Sequence, residues 1–293
     1  MPADLHCHTR LSDGSLGIED LIILAKNIGI GTIAITDHDS LAATVRGKII
    51  GERHEVNVIP GVEISAFDYE SKKKVHLLSY LNEYPDRLEG LCRKNSLERR
   101  KAGQMMVIKA AQRFPITPEF VLKCAAGSTN IYKQHIMHAL MEGGFTTEIF
   151  GDLFYELFDE KNPENISVSP KYPDAFDVLR AIHEAGGIAV LAHPGFYDNF
   201  DVLPSLIEKG LDGVEVWHPE NSEQQADELI RIADENGLLM TGGSDFHGMY
   251  GAHKGTLGAF TTPDDNLNEL IGYKSKKKRL LKKSSQSIQS KKA

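Results

Sequence analysis

The sequence predicts an α/β fold built on a parallel sheet, and two observations carry that prediction. Short apolar, β-branched runs alternate with stretches of helical period, and parallel strands need such crossovers. Asp, Glu and His residues recur at or near the ends of those runs, where a parallel barrel builds its active site. The alternation alone leaves a closed barrel and a doubly wound layer both open.

Residues 3–8 read as the first strand. Leu21, Ile22, Ala25 and Ile28 then mark one helical face, with Gly29 as a stop. Strand runs follow at 32–36, 56–59 and 75–79. Between 83 and 168 the strand signals cease, and helical periods replace them. Met105, Ile108, Ala111 and Phe114 form one apolar face; Ile149, Phe150, Leu153, Phe154, Leu157 and Phe158 form another. The strand pattern resumes at 188–192, 213–217 and 238–241, with a possible last strand at 256–260. The intervening helices carry Leu179, Ile182 and Ala185 before Gly186, and Ala226, Leu229, Ile230 and Ala233 before Gly237. The expected organisation is a discontinuous body, 1–82 and 169–273, interrupted by a helical insert at 83–168 that serves substrate binding. A basic, disordered tail covers 274–293.

Composition narrows the class. The 293 residues carry a formal net charge of −8, with 12 His and 3 Cys. The last 20 residues hold nine Lys or Arg and no acid, which leaves the first 273 at −17. A body that acidic does not suit a general DNA-coating protein. The tail is read either as an electrostatic hold on RNA or as a solubilising extension. Three unpaired cysteines exclude a disulfide scaffold and a structural zinc finger. Met1-Pro2-Ala3-Asp4 lacks the character of a signal peptide, and no run of eighteen apolar residues occurs, so a cytoplasmic location is expected.

The chemistry concentrates in nine side chains: His6, His8, Asp13, His38, Glu63, His76, His193, Asp245 and His247. His6 and His8, two apart on a strand, point the same way. One such pair is a weak signal, but its recurrence in kind along the chain is not. Six imidazoles and three carboxylates exceed the needs of one ion and match two or three divalent metals. A donor set of N and O without thiolate suits Mn, Fe or Zn. Two metals close together can hold a phosphate and supply a hydroxide nucleophile. Glu215, His218 and Trp217 are taken as rim or packing residues, and His54, His183 and His253 as ordinary surface or helix positions. The cysteines read as small buried hydrophobes.

Several motifs, in order, resemble the PHP (polymerase and histidinol phosphatase) phosphoesterases. They are Asp4-Leu5-His6-Cys7-His8-Thr9, Ser12-Asp13-Gly14, Thr36-Asp37-His38-Asp39, Gly61-Val62-Glu63-Ile64-Ser65, Ala192-His193-Pro194 and Gly243-Ser244-Asp245-Phe246-His247. The resemblance spans roughly residues 1–260 and implies a distorted (β/α)7 TIM-like barrel with three metals. Carried over, it assigns His6, His8, Glu63 and Asp245 to one metal. Asp13, His38 and His247 go to a second, and Glu63, His76 and His193 to a third. The insert resembles that of the subgroup acting on 3′,5′-bisphosphonucleosides and RNA 5′ ends. There it implies phosphate-binding roles for Arg99 or Arg100, and for Lys133 and His135, where the subgroup usually reads Arg-x-His. Lysine keeps the charge and loses the bidentate fork.

The expected reaction is metal-dependent hydrolysis of a phosphate ester of a nucleotide or short RNA. His193 or His247 is the candidate proton donor, and Asp37 is expected to orient a ligand. No membrane and no obligate protein partner are implied. The rival readings are a histidinol-phosphate phosphatase, an amidohydrolase-type hydrolase bridged by a modified lysine, and a non-catalytic scaffold.

Overall fold

A computed structural model describes residues 2–251 and 256–290. Seven strands lie in sequential order: β1 (Ala3–Cys7), β2 (Thr32–Ile35), β3 (Asn57–Asp68), β4 (Lys73–Tyr80), β5 (Ile188–Leu191), β6 (Gly213–Trp217) and β7 (Leu239–Gly242). The sheet closes nearly into a barrel. Beyond β7, Phe246 exchanges backbone hydrogen bonds with His6 and His8, and Thr262 bridges to Ala3.

The helices between the strands follow their apolar faces. They are α1 (Ile18–Asn27), α2 (Ala43–His54), α3 (Asp86–Arg113), α4 (Pro118–Cys124), α5 (Lys133–Glu142), α6 (Asp152–Phe158), α7 (Ala175–Glu184), α8 (Pro194–Tyr197), α9 (Leu203–Glu208), α10 (Glu223–Asn236) and α11 (Asp264–Ser290). Gly237 ends α10 at φ +64°, a conformation that glycine adopts without strain. Leu21, Ile22 and Ala25 are buried, as their spacing predicts. Residues 83–168 hold the helices α3–α6 and no strand, and Val107, Ile136, Leu140 and Leu157 pack in one core there.

Four expectations are corrected here. The sheet is not wholly parallel: β4 runs antiparallel to both β3 and β5. β3 does not stop at Ile59 but continues through Pro60-Gly61 to Asp68, so Glu63 lies within a strand. Residues 256–260 form turns. On α3 the buried residues are Met106, Val107 and Ala110, while Met105 and Ile108 are half exposed. Gly103 sets that rotation, because a Cβ there would lie 2.5 Å from the Ile131 carbonyl oxygen.

The basic segment from 274 is likewise not irregular, since α11 runs through it to Ser290. Its first turns dock on the closed end of the barrel. Buried Asp212 accepts hydrogen bonds from the Tyr273 hydroxyl at 2.7 Å and the Lys277 ammonium at 3.0 Å. It also accepts from the Ala189 N–H at 3.0 Å and pairs with His183 at 2.9 Å, which gives His183 a structural role. Burial alone would raise the Asp212 carboxyl; His183 and the other donors outweigh it and hold the pKa at about 2. A depressed carboxyl contributes stability above its ordinary range and loses it as the pH falls toward the folded value. Asp212→Asn is therefore expected to lower the unfolding free energy at pH 7 by about 2 kcal/mol. The difference from wild type should shrink below pH ~3. Denaturant titrations across pH check both. His253 and residues 291–293 lie outside the described residues. Among those described, no helix is long and apolar enough to cross a membrane.

Candidate metal centre

The nine side chains singled out by the sequence converge at the open end of the barrel. His6 is on β1, and His8 and Asp13 lie just beyond it. His38 follows β2, Glu63 and His76 sit within β3 and β4, His193 follows β5, and Asp245 and His247 follow β7. Gly243 brings the last loop against β1, where a Cβ would lie 2.4 Å from the His6 backbone nitrogen.

Glu63 is the centre of the group and is 1% exposed. Its Oε1 accepts from His76 Nδ1 at 2.7 Å and His193 Nε2 at 2.9 Å. Its Oε2 lies 2.8 Å from His38 Nδ1, 3.3 Å from His8 Nε2 and 3.5 Å from His6 Nε2. Those three approaches lack hydrogen-bond geometry. Glu63 Oε2, His6 Nε2, His8 Nε2, His38 Nδ1, His193 Nδ1 and Asp13 Oδ1 are all buried without a hydrogen-bond partner. Buried polar atoms are rarely left so. Donor atoms that crowd together without bonding one another fit a shared cation. Ligand atoms from five sets each lie within 4.8 Å of one another: His8, Asp13, His38 and His247; His6, Glu63 and His193; His6, Glu215 and His218; His6, His8 and Asp245; His38, Glu63 and His76. The sets overlap. His8 groups with Asp13 as well as with Asp245, and His38 with Asp13 as well as with Glu63.

The imidazoles of the cluster divide: burial prevails at His8 and His76, whereas at His6, His38 and His247 neighbouring carboxylates outweigh burial and raise the pKa. Burial pushes His8 and His76 down to about 4, so each is a neutral donor at neutral pH. Burial opposes ionisation of Glu63, but the charges of His38, His76 and His6 hold its carboxyl well below the usual range.

Partners behind the ligands set their orientation. His8 Nδ1 lies 3.4 Å from Ser12 Oγ, whose hydroxyl donates to Asp37 at 2.6 Å. Asp37 also accepts from the N–H and hydroxyl of Thr9, both at 2.7 Å. It is fully buried, and its link to His8 runs through Ser12. Glu215 does comparable work from β6: its Oε1 pairs with His6 Nδ1 at 2.9 Å, and its Oε2 accepts the His193 N–H at 2.8 Å. Sequence reasoning placed Glu215 and His218 on the rim, yet they are 0% and 1% exposed. The overlooked signal was a carboxylate between two valines on an inward-facing strand, which needs donors to be buried there.

His193 and His247 were the expected proton donors, and both are engaged. His193 bonds Glu63. His247 Nδ1 donates to the Asp245 carbonyl at 2.7 Å, and its Nε2 lies 3.3 Å from Asp13. His193 and Asp245 hold positive φ values, +29° and +49°, rare for residues with a Cβ. Such backbone strain concentrates at functional sites.

Above the ligands opens a cavity of about 550 Å³, walled by the barrel loops and the insert. Arg99 lines it and donates to Ser65 Oγ at 2.7 Å and Asp39 Oδ2 at 3.2 Å, with its Nε buried and unpartnered. Lys133 and Lys74 also line the cavity. Arg100 does not: it reaches the Thr129 carbonyl on another groove, with Leu122 and Gln104. His135 does not line it either. Its Nδ1 accepts from the Tyr132 N–H at 3.2 Å, and its ring packs between Tyr132 and Tyr250. His135 therefore shapes the start of α5. If Arg99 anchors substrate, Arg99→Ala should raise KM roughly tenfold or more. Arg100→Ala should leave KM within about twofold, and steady-state kinetics on the pair checks both.

Comparison with known proteins gives a consistent result. The family model described as PHP domain matches residues 4–189. A phosphoribosyl 1,2-cyclic phosphate 1,2-diphosphodiesterase from Eggerthella lenta is 37% identical over 256 residues, covering 86% of this chain and 96% of that protein. The 5′-3′ exoribonuclease Rnm of Salmonella typhimurium is 31% identical over 253 residues, covering 83% of this chain and 84% of that one. A solved structure of a metal-dependent phosphoesterase from Bifidobacterium adolescentis superposes with a TM-score of 0.83 at 30% identity, covering 92% and 97% of the two chains.

Proposed function

The chain belongs to the PHP domain family and is a metal-dependent phosphoester hydrolase; from that premise we propose that it acts on nucleotides, cleaving the ester at a ribose 3′-oxygen. Two substrate forms present that bond: a 3′,5′-bisphosphonucleoside, which would lose its 3′-phosphate, and a 5′-phosphorylated short RNA, which would lose its first nucleotide. The observation that carries the reading is the cavity. It joins the ligand cluster to cationic groups (Arg99, Lys133, Lys74) and to two exposed aromatic rings, Phe196 and Tyr155. The cations match a second phosphate and the rings match a base. A base–aromatic stack contributes about 1–3 kcal/mol.

His6, His8, Asp13, His38, Glu63, His76, His193, Asp245 and His247 would hold two or three divalent ions, with Mn, Fe and Zn all compatible with the donors. When bound, such ions polarise the phosphoryl group and lower the pKa of bound water. The chain's own residues do the rest. Arg99 presents its free Nε to the anionic end of the substrate. Glu215 and the Asp37–Ser12 pair hold His6 and His8 in register. The helical insert roofs the cavity and limits the water around the reacting group.

Glu63, with one oxygen toward His76 and His193 and the other among His38, His8 and His6, can do the bridging that the amidohydrolase reading gives to a modified lysine. The 37% relative acts on a cyclic sugar phosphate, so that ester belongs in the same test. Metal-free protein reconstituted with Mn should release product from adenosine 3′,5′-bisphosphate or 5′-phosphorylated oligoribonucleotides faster than from histidinol phosphate or phosphoribosyl 1,2-cyclic phosphate. A chelator should abolish the release. Preference for the cyclic ester, with no turnover of either nucleotide substrate, would reject the proposal. Cytoplasmic action without a membrane or protein partner is part of the same reading.

A further inference from the structure

His218 lies one residue past β6, is 1% exposed and lines the cavity above the ligands. Its ring centre is 5.2 Å from that of His193 and 5.8 Å from that of His6. Its Nδ1 accepts the main-chain N–H of Glu220 at 3.0 Å. A neutral imidazole has one accepting nitrogen and one N–H. With Nδ1 accepting, the hydrogen sits on Nε2, which therefore has no lone pair for a metal.

That N–H is buried and has no hydrogen-bond partner. The carboxylates it faces, Asp245 Oδ2 at 3.6 Å and Glu215 Oε2 at 4.0 Å, are beyond hydrogen-bond range. A buried donor without a partner is costly, and the residue that carries it lines the cavity above the cluster. His218 also groups with His6 and Glu215 within 4.8 Å, but the Glu220 N–H on its Nδ1 leaves Nε2 a hydrogen donor and not a ligand. We propose that His218 is a further catalytic residue. Its neutral Nε2–H donates a hydrogen bond to a phosphoryl oxygen of the bound ester and strengthens as charge grows there. The proton stays on the ring, so no ionisation of His218 enters the reaction.

This inference rests on the phosphoester reading of the site. Its test pairs His218→Ala with His218→Gln, which keeps an N–H donor, and with His218→Met, which has similar length and no donor. Three measurements are made on each Mn-loaded protein: bound metal per chain, kcat and KM for adenosine 3′,5′-bisphosphate across pH, and calorimetric binding of inorganic phosphate. The expected result is wild-type metal content in all three variants. In His218→Ala and His218→Met, kcat should fall about a hundredfold. His218→Gln should recover part of the loss, and the pH profile should keep its wild-type shape. Loss of one metal equivalent would overturn the proposal by making His218 a ligand. Unchanged kcat with full metal would make it a spectator, and loss of one limb of the pH profile would make it a proton-transfer group. If the wild-type protein turns over no phosphate ester, the phosphoester reading itself fails. Phosphate binding then still decides the donor role: weaker binding in His218→Met than in His218→Gln supports it, and equal binding rejects it.

Discussion

Replacing Glu63 by glutamine is expected to strip the protein of bound metal and to lower kcat/KM by at least about a hundredfold. The volume barely changes, so the effect isolates charge. One carboxylate oxygen serves His76 and His193, and the other sits among His38, His8 and His6. An amide supplies no negative charge to the ions shared by those rings. Its NH2 group also faces nitrogens that act as lone-pair donors. Metal content by elemental analysis, read beside circular dichroism, separates loss of ions from loss of fold. A Glu63→Gln protein with full metal and full activity would remove Glu63 from the centre of the site. His6→Ala/His8→Ala should behave likewise, because both rings leave the same cluster.

The second large effect comes from Glu215, which the sequence reading left on the rim. It touches no proposed ion, yet it bonds His6 Nδ1 and the His193 backbone. A carboxylate behind a metal-bound imidazole fixes its tautomer and raises its basicity, and such partners are worth 10–100-fold in metal affinity. Glu215→Gln should therefore weaken metal binding by roughly that factor, while saturating Mn restores much of kcat. A metal titration of activity measures both. Unchanged metal dependence would show that His6 is held by packing alone.

The convergence of the nine side chains was legible because their chemistry is local. Each follows or sits in a strand, and short motifs such as His6-Cys7-His8 carry their direction with them. The strand-helix alternation likewise gave the α/β class and the loss of strands between 83 and 168, while the choice of a barrel came from the resemblance. The reversal of β4 was not legible because the apolar run that marks β3 ends at residue 59; the strand's extension to Asp68 leaves only residues 69–72 before β4, a link short enough for an antiparallel pair and too short for a parallel crossover. Eight residue pairs between Gly61–Asp68 and Lys73–Tyr80 fix the reversal. The rotation of α3 was hidden because it depends on the close approach of Gly103 to Ile131. Arg99 and Arg100 are adjacent in sequence and equivalent in composition. Only the helix phase decides that Arg99 meets Asp39 and Ser65 and that Arg100 faces Thr129. The course of α11 could not be read from a run of Lys and Ser, because its docking depends on the distant Asp212.

The reversal of β4 has a mechanical consequence. It delivers the chain to the closed end of the barrel at Tyr80, whereas the cavity is at the open end. A single helix of 28 residues, α3, makes the return journey. Arg87 marks its start against the Glu184 carbonyl; Asn95 and Arg99 mark its passage beside Ser65. α3 is thus a ruler laid along the barrel wall. Deleting one residue between Arg87 and Asn95 would turn everything beyond it by about 100° and draw it back by about 1.5 Å. Arg99 would swing off the cavity with every ligand untouched. The reach of the insert is encoded in helix length, a quantity that evolution can change only in steps of whole turns.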